Sequence, residues 1–301
     1  MNVALIGYGE VGRILAEDLR AGGHAVSAFD VLLAGPCQPM QEHARRHRVQ
    51  LAPSHHEAIS GAELVICAVT ARHTVEAARA CGEGMAAGAF FLDFNSASPG
   101  AKAQAAELVV RGGGRYVEGA VMTAVPPHRL RVPLLLGGPD AAALLPLLHG
   151  LGFTPRLCSS KLGVASATKM CRSVMIKGLE AMVIESLTAA RHYGVEDAVV
   201  ASLGETFPGV DWEHQAAYFF QRVIEHGRRR GEEMHEAAAT VREAGLHPWS
   251  AEATAARQDW MAALADAGTF GRRGESGFAR SPDWRVEADR ILARDERSGG
   301  A

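Results

Sequence analysis

The sequence predicts an α/β protein, in which a doubly wound parallel sheet precedes an all-α domain that begins with a long interdomain helix. Short apolar runs alternate with helical segments over about the first 160 residues, which is typical of strand–helix–strand crossovers in a parallel sheet. A glycine-rich turn follows the first apolar run directly, and strand-like runs stop after about residue 160. Because 301 residues exceed what one core usually covers, we expect two domains, residues 1–160 and 161–301.

The composition is typical of a cytoplasmic globular protein. With 48% hydrophobic residues, 22% charged residues and a formal charge of −3, the chain carries no basic field that would attract nucleic acid or an anionic membrane. No apolar run of membrane-spanning length is free of charges. Five scattered cysteines without a C-x-x-C pair suit a reducing compartment. The first residues show no cleavable leader, so we expect a cytoplasmic location.

The first apolar run, residues 3–7, leads into a glycine-rich turn and then into an amphipathic helix. A glycine-x-glycine-x-x-glycine motif in this context predicts a Rossmann-type dinucleotide site. Gly7 permits the tight turn, Gly9 lets the backbone approach a pyrophosphate, and Gly12 lets helix and strand pack closely. The N–H groups at the start of the helix bind the anion. The cofactor contacts expected here are Gly7, Tyr8, Gly9, Glu10, Val11 and Gly12.

The second apolar run ends at Asp30, about 20 residues beyond the glycine motif. Its carboxylate is expected to accept hydrogen bonds from the adenosine ribose hydroxyls. The apolar stretch 31–33 follows, and it contains no arginine that would hold a 2′-phosphate. The sequence therefore favours NAD as cofactor, while Arg45, Arg46 and Arg48 leave NADP open.

Further strands are predicted at residues 62–70, 90–92, 115–121 and 133–138, with helical segments between most of them. Ligands of parallel sheets bind beyond the carboxyl ends of the strands. The residues at those ends are therefore site candidates by position, and they are Val69, Thr70, Asn95, Ser96 and the turn after Val121.

One long helix is predicted from about residue 163 to residue 193, about 45 Å long at 1.5 Å per residue. It is apolar on nearly every face, so other helices or a second subunit must cover it, and we expect a homodimer. Further helices are predicted at about 195–206, 212–229, 231–244 and 250–266. The tail from Gly268 is rich in glycine, arginine and serine and is interpreted as a loop or a loosely held end.

The motif order resembles that of the β-hydroxyacid dehydrogenase superfamily, which includes 3-hydroxyisobutyrate and 6-phosphogluconate dehydrogenases. The resemblance rests on the dinucleotide motif followed by "LDFNSASPG", "YVEGAVMTAV" and "GVASATKMCRSV". It implies a catalytic lysine at Lys169, with Ser173 at the position of an asparagine. It also implies cofactor and substrate contacts, with Asp93, Asn95 and Ser96 in one element and Met122, Thr123 and Ala124 in a substrate-binding turn.

The chain departs from the family pattern at several of these positions. Ala124 and Val125 replace glycines of the substrate-binding turn, and Ser173 is shorter than asparagine and has no amide. A lysine that the family carries in its C-terminal helices is interpreted as replaced by Arg229 or Arg230. The resemblance therefore implies a pocket that differs from that of the standard small substrates.

Lys169 heads an otherwise apolar stretch, and burial of an amine lowers its pKa toward neutrality. Such a lysine takes the hydroxyl proton as hydride leaves an alcohol carbon, and returns it in the reverse direction. Ser173 lies one helical turn further on the same face, so both side chains reach one oxygen. Lys177, two turns beyond Lys169, is the rival ammonium group and is interpreted as structural.

Three functions are compatible with these residues. The first is an NAD(P)-dependent oxidoreductase that interconverts an alcohol β to a carboxylate, or to a similar polar group, with its aldehyde or ketone. A β-keto acid formed from a secondary alcohol would then be able to lose carbon dioxide. The second is an imine reductase on the same scaffold, and the third is a protein that senses NAD without catalysis. No metal is expected, since the thirteen histidines are scattered without clusters and a nicotinamide enzyme needs no metal.

Overall fold

A computed structural model describes residues 1–35, 37–275 and 277–298, with the backbone alone for residues 294–298. The chain forms two compact units. The first comprises Met1–Cys171 and Ala239–Leu246, and the second comprises Arg172–Ala238 and the described residues from His247 onward. The division between the units falls inside the long helix, whereas the expected division at residues 160 and 161 precedes that helix.

One sheet of eight strands forms the centre of the first unit, with the order β3-β2-β1-β4-β5-β6-β7-β8. The apolar runs predicted from the sequence all become strands, and two further strands, β3 and β8, form the two edges of the sheet. The strands are β1 Asn2–Ile6, β2 Ala25–Phe29, β3 Gln50–Leu51, β4 Leu64–Cys67, β5 Phe90–Asp93, β6 Arg115–Val121, β7 Leu134–Gly137 and β8 Pro155–Ser159.

Helices cover both faces of this sheet, so the doubly wound fold is confirmed. Successive residues of a strand point to opposite faces, and Leu5 of β1 packs in one core while its neighbour Ile6 packs in the other. Both are buried, which explains why these strands read as continuous apolar runs. The helices of this unit are α1 Glu10–Ala21, α2 Gln38–His47, α3 His55–Ile59, α4 Thr74–Gly82, α5 Pro99–Arg111 and α6 Ala141–Gly150.

Strand β7 runs antiparallel to β6, so the prediction of a wholly parallel sheet was wrong at this strand. The connection between β6 and β7, residues 122–133, contains one short 3-10 turn at Arg129–Arg131. A parallel return usually needs an α-helix in the crossover, and this connection contains none. The chain therefore returns beside β6 in the opposite direction, with Glu118 opposite Gly137.

The strand order reverses between β1 and β4, which makes this the topological switch point of the sheet. In open α/β sheets, ligands bind in the crevice at that point, beyond the carboxyl ends of the strands. The glycine-rich turn leaves β1 at this edge, and Ala68 leaves β4 beside it. The turns after β5 and β6 emerge at the same edge, because both strands run parallel to β4.

The second unit is helical, as predicted. Helix α7 spans Val164–Tyr193, which confirms the single long helix, and its C-terminal part belongs to this unit. The other helices are α8 Glu196–Thr206, α9 Trp212–Glu243, α10 Trp249–Asp266 and α11 Trp284–Ser298, and the last five residues of α9 belong to the first unit. No described helix is both long and apolar enough to cross a membrane.

Helix α9 continues through residue 230, where the sequence predicted a break. Gly227 and Gly231 lie four residues apart and allow α10 to approach closely. A Cβ atom on Gly227 would lie 2.9 Å from the carbonyl oxygen of Gln258, and one on Gly231 would lie 2.1 Å from Asp259 Oδ1. These glycines therefore serve helix packing, and they do not end the helix.

Helix α11 corrects the interpretation of the tail as a loose end. Trp284, Ala288 and Ile291 recur at helical spacing and are buried in the core of the second unit, with the Trp284 ring centroid 6.0 Å from that of Phe220. The glycine- and arginine-rich composition of residues 268–283 led to the prediction of a loop, although the periodic apolar residues of α11 follow directly. Ser276 and residues 299–301 of the tail lie outside the described residues.

Candidate functional site

The three glycines of the motif differ in what surrounds them. Gly7 has a φ of +94°, and a Cβ atom there would lie 2.5 Å from the carbonyl oxygen of Ala68. A Cβ atom on Gly12 would lie 2.1 Å from the carbonyl oxygen of Gly7. A Cβ atom on Gly9 would meet no described atom within 4 Å. Gly7 and Gly12 therefore allow the turn to fold, while Gly9 leaves an open surface in front of helix α1.

Helix α1 begins at Glu10 without a side-chain cap, so N–H groups of its first turn have no side-chain acceptor at the cap position. The positive end of the helix dipole and these N–H groups together suit a phosphate. Glu10 itself is exposed and Val11 is half-buried. The geometry of this turn fits the pyrophosphate of a dinucleotide.

Asp30 is the acid that ends β2, and its carboxylate joins two loops. One carboxylate oxygen accepts a hydrogen bond from the backbone N–H of Tyr8 at 2.8 Å, and the other accepts from Leu32 N–H at 3.0 Å. Each oxygen has a second lone pair that a ribose hydroxyl would use. The Tyr8 side chain is buried, and its hydroxyl lies 2.9 Å from His43 Nδ1, so Tyr8 faces the protein and not the open surface.

Asn95 follows β5 and is 4% exposed. Its Nδ2 lies 3.4 Å from Cys67 Sγ at the end of β4, while its Oδ1 has no hydrogen-bond partner among the described residues. A buried acceptor without a donor is costly, and such atoms in native proteins usually meet a ligand or water. The orphaned oxygen thus fits a donor group of a bound ligand. Beside it, Val69 is half-buried and Thr70 is exposed.

Asp93, the last residue of β5, faces inward. Its carboxylate is fully buried and contacts Lys102 Nζ at 2.9 Å, the hydroxyl of Tyr116 at 2.6 Å and the backbone N–H of Asn95 at 2.9 Å. Burial, together with the charge of Asp93, raises the pKa of the Tyr116 hydroxyl well above its usual value, so it stays a donor. Asp93 therefore anchors the loop that carries Asn95 and Ser96.

Lys169 and Ser96, which lie 73 residues apart in the sequence, meet in the first unit. Lys169 lies in the second turn of α7 and donates a hydrogen bond from Nζ to Ser96 Oγ at 2.5 Å. Both side chains are half-buried, so Lys169 is less shielded from solvent than its apolar sequence context predicted. An amine thereby stands at the loop after β5, on the edge of the sheet where the glycine-rich turn lies.

Glu118 of β6 caps the start of helix α7, a role that its sequence position did not indicate. It is fully buried and accepts hydrogen bonds from the N–H groups of Gly163 at 2.9 Å, Ala165 at 3.0 Å and Ser166 at 3.3 Å. The Ser166 hydroxyl adds a bond at 2.7 Å. A carboxylate at this end complements the helix dipole. The only sequence signal for this role was a glutamate within an otherwise apolar predicted strand, residues 115–121.

Gly137, opposite Glu118 on β7, makes room for this carboxylate. A Cβ atom on Gly137 would lie 2.3 Å from Glu118 Oε1. The carboxylate fixes the register of the first turn of α7, and Lys169 follows Ser166 by three residues, almost one turn. The position of the amine therefore depends on Glu118, a buried glutamate of strand β6.

The turn after β6 carries the residues predicted to bind substrate. Met122 N–H donates to the carbonyl oxygen of Pro133 at 2.9 Å, which ties the turn to the strand that follows. Met122 and Ala124 are half-buried, and Thr123 is exposed. Because β5 and β6 are parallel neighbours, this turn emerges beside the loop of Ser96. The predicted substrate-binding turn and the Ser96 loop therefore share one edge of the sheet.

Ser173 and Lys177 form a separate polar group in the second unit. The Ser173 hydroxyl accepts a hydrogen bond from Lys177 Nζ at 3.1 Å, and Lys177 pairs with Glu233 of α9 at 2.9 Å. Lys177 is 6% exposed, and burial lowers its pKa although the Glu233 charge opposes the shift. Ser173, predicted to work with Lys169, is thus engaged by the other lysine of the helix.

Comparison with known proteins identifies the fold family. The NAD binding domain of 6-phosphogluconate dehydrogenase matches residues 2–143, and a domain of unknown function, DUF1932, matches residues 190–261. The structure of a conserved hypothetical protein from Sinorhizobium meliloti 1021 is 32% identical with a TM-score of 0.75, covering 98% of this chain and 96% of its own.

A second solved structure, of a conserved protein of unknown function described as structurally similar to 3-hydroxyacid dehydrogenases, is 30% identical with a TM-score of 0.67. It covers 88% of this chain and 99% of its own. The chain belongs to the β-hydroxyacid dehydrogenase superfamily. The 3-hydroxyisobutyrate dehydrogenase of Pseudomonas aeruginosa is 24% identical over 218 residues, which are 70% of this chain and 71% of that enzyme.

This member of the β-hydroxyacid dehydrogenase superfamily departs from the family pattern in its helical unit as well as in the turn after β6 that was predicted to bind substrate. Arg230, one of the two residues expected in place of a lysine, is buried and pairs with the buried Glu180, and burial lowers its pKa to about 10. The other, Arg229, is exposed, and its Nη1 lies 3.5 Å from Glu233 Oε1. Arg230 is thus held by an internal partner, and Arg229 presents its charge to solvent.

Proposed function

We propose that this protein is an NAD-dependent oxidoreductase that interconverts an alcohol β to a carboxylate, or to a similar polar group, with its aldehyde or ketone. In this proposal Lys169 is the general acid and base. The observation that carries it is the hydrogen bond from Lys169 Nζ to Ser96 Oγ at 2.5 Å, on the edge of the sheet where the nucleotide motif lies. The similarity to a 3-hydroxyisobutyrate dehydrogenase supports this reaction class.

The residues of the first unit fit a nicotinamide dinucleotide. The open surface at Gly9 and the uncapped start of α1 suit the pyrophosphate, and the orphaned Oδ1 of Asn95 suits a donor group of the ligand. Such a cofactor, when bound, supplies the site that accepts or donates hydride. The Asp30 carboxylate offers lone pairs to ribose hydroxyls and repels a 2′-phosphate, so we infer a preference for NAD over NADP.

The protein residues handle the proton. In the oxidation, the neutral amine of Lys169 takes the proton of the substrate hydroxyl, and in the reduction the ammonium returns a proton to the carbonyl oxygen. Ser96 accepts from Lys169 Nζ, which holds the amine in place and leaves the Ser96 hydroxyl proton for the substrate oxygen. Glu118 holds the start of α7 and so positions Lys169. In this proposal, Met122, Thr123 and Ala124 contact the substrate.

The test is a screen of hydroxy acids, aldehydes and diols with both NAD and NADP, on the native protein and on Lys169→Ala. We expect turnover by the native protein and a fall of about 10²–10⁴ in rate in the variant. Lys161→Ala, which removes an exposed lysine of the same unit, is the matched control and should retain activity. Turnover of cyclic imines alone would indicate an imine reductase, and dinucleotide binding without any turnover would indicate a sensor.

We also infer a homodimer that forms through helix α7. Met175, Met182 and Tyr193 of this helix are 74%, 63% and 76% exposed. Met175 and Met182 lie seven residues apart and therefore on one face of the helix. Large apolar side chains in such a row are typical of an interface. Light scattering of the native protein tests this inference, since we expect a dimer that Met182→Glu weakens; a native monomer would contradict it.

A further inference from the structure

Three potential metal ligands, to which the proposed function gives no role, converge beside the glycine-rich turn. They are Glu17 of α1 and the pair His43 and His47 of α2, which lie four residues apart on one helical face. Glu17 Oε1 lies 2.9 Å from His43 Nε2 and 3.9 Å from His47 Nε2. One ligand atom from each residue lies within 4.8 Å of the other two.

We propose that Glu17, His43 and His47 bind a divalent transition-metal ion, with Zn²⁺ as the ion that this donor set favours. Two imidazole nitrogens and one carboxylate oxygen, with a fourth position left for water, form a common zinc coordination sphere. Bond lengths of about 2.0–2.2 Å in tetrahedral geometry place neighbouring ligand atoms roughly 3.3 Å apart. The distances from Glu17 Oε1 to His43 Nε2, 2.9 Å, and to His47 Nε2, 3.9 Å, lie below and above that value.

The side chains behind these ligands are arranged as the outer shell of a metal site requires. The Tyr8 hydroxyl lies 2.9 Å from His43 Nδ1, which leaves Nε2 directed at the carboxylate. Arg129 Nη2 donates to Glu17 Oε2 at 2.6 Å, which leaves Oε1 directed at the histidines. Outer-shell bonds of this kind fix the tautomer and orientation of metal ligands.

The backbone and the exposure of His47 complete the arrangement. The His47 carbonyl oxygen accepts from Arg20 Nε of α1 at 3.3 Å, so the end of α2 is fastened to the helix that carries Glu17. The His47 side chain is 29% exposed, which gives it room to rotate toward the ion and gives water access to the fourth position.

The local charge favours a cation. Arg129 pairs with Asp18 at 2.7 Å as well as with Glu17, so two carboxylates meet one guanidinium. The carboxylates of Glu17 and Asp18 and the guanidinium of Arg129 sum to a net charge of −1. The positive charge of Arg129 is therefore already compensated before an ion enters.

A hydrogen-bond chain alone accounts for only part of this cluster. It explains His43, which bridges the hydroxyl of Tyr8 and the carboxylate of Glu17. His47 stacks its ring on that of His43, with the ring centroids 4.5 Å apart, and this places His47 Nε2 3.9 Å from the same carboxylate oxygen, beyond hydrogen-bond reach. The sequence indicated no metal because Glu17 lies 26 residues before His43, and only the packing of α1 against α2 brings the third ligand to the histidine pair.

The test uses the full-length protein without a polyhistidine tag, stripped with EDTA and titrated with Co²⁺, with Zn²⁺ as the competing ion. We expect one equivalent of Co²⁺ to bind with the visible absorption of a tetrahedral site and to be displaced by Zn²⁺. His47→Ala and Glu17→Gln should weaken binding by tenfold or more, and Tyr8→Phe by about tenfold. Far-ultraviolet circular dichroism checks that each variant is folded.

His149→Ala is the matched control, because it removes an exposed histidine of the same unit from the end of a helix. It should bind Co²⁺ as the native protein does. Absence of saturable binding by the native protein, or equal affinities in the folded His47→Ala and His149→Ala proteins, would overturn the proposal.

Discussion

The two lysines of helix α7, Lys169 and Lys177, have opposite environments. Near the start of the helix, Lys169 is half-buried and donates to a serine hydroxyl, that of Ser96. In the second unit, Lys177 is buried and sits between the Ser173 hydroxyl and the Glu233 carboxylate. An amine held by a hydroxyl at an accessible edge is suited to exchange protons with a ligand, whereas an amine paired with a carboxylate inside a core is suited to hold helices together. The environment of each lysine, and not its residue type, separates the two roles.

The strongest test of this comparison is Lys169→Ala, which should lower kcat by about 10²–10⁴ because the proton transfer loses its acid and base. Its free energy of unfolding should change by less than about 1 kcal/mol, since the side chain is half-buried and its hydrogen bond to Ser96 is between polar groups near solvent. Steady-state kinetics and urea denaturation measure the two quantities. A fall in the free energy of unfolding of several kcal/mol, accompanying the loss of kcat, would show that Lys169 is structural.

Lys177→Met should lower stability strongly and change kcat little, the reverse of the result expected for Lys169→Ala. The variant deprives Glu233 of the Lys177 ammonium in a buried setting, so we expect a fall of about 3 kcal/mol in the free energy of unfolding and a small change in kcat. Urea denaturation measures this, with Arg228→Ala as the control, because Arg228 pairs with Asp266 at the surface. A large fall in kcat at unchanged stability would make Lys177 the acid and base instead.

The same lysine predicts a pH dependence of stability. Burial lowers the pKa of Lys177 in the folded protein below its ordinary value of 10.5. At pH values between the lowered pKa of the folded protein and 10.5, Lys177 keeps its proton in the unfolded chain but loses it in the folded protein. The free energy of unfolding therefore rises with pH in that window. Lys177→Met should remove this rise. A pH slope below 10.5 that is the same in both proteins would contradict the assignment.

Glu118→Gln tests whether the cap of α7 positions Lys169. An amide in place of the carboxylate turns a donor toward the N–H groups of the helix start, so the free energy of unfolding should fall by about 1–3 kcal/mol. We expect kcat to fall about tenfold or more through displacement of the amine, with little change in KM. Gly137→Ala, which crowds the same carboxylate, should give a fall of the same kind. A native kcat in both folded variants would leave Glu118 with a purely structural role.

The smallest expected effect concerns the choice of cofactor, at the other end of the site. Asp30→Asn should weaken NAD binding by about 10-fold, since it loses a charged acceptor, and should leave or improve NADP binding. Isothermal titration with both dinucleotides gives the ratio. An equal decrease for both would show that Asp30 only holds the backbone of Tyr8.

Local patterns in the sequence were sufficient to predict much of the fold. The strand–glycine–helix pattern at β1 and the long apolar run of α7 depend on neighbouring residues alone, and both were predicted. The features that were missed depend on distant partners. Strand β7 runs antiparallel to β6, and its connection contains a 3-10 turn but no crossover helix. Helix α9 continues because α10 packs on its glycines, and Glu118 becomes a cap only when β6 lies against the start of α7. In the same way, Ser173 looked like a partner of Lys169 by helical spacing, but Lys177 engages its hydroxyl.

The role of Lys169 in proton transfer is tested most directly by single-turnover hydride transfer in Lys169→Met, followed by the absorbance of the reduced nicotinamide. We predict a native dissociation constant for the dinucleotide, a rate lowered by about 10²–10⁴, and partial recovery of that rate when a small primary amine such as methylamine is added. Hydride transfer at the native rate in this variant, with the dinucleotide bound normally, would contradict the proposed role of Lys169.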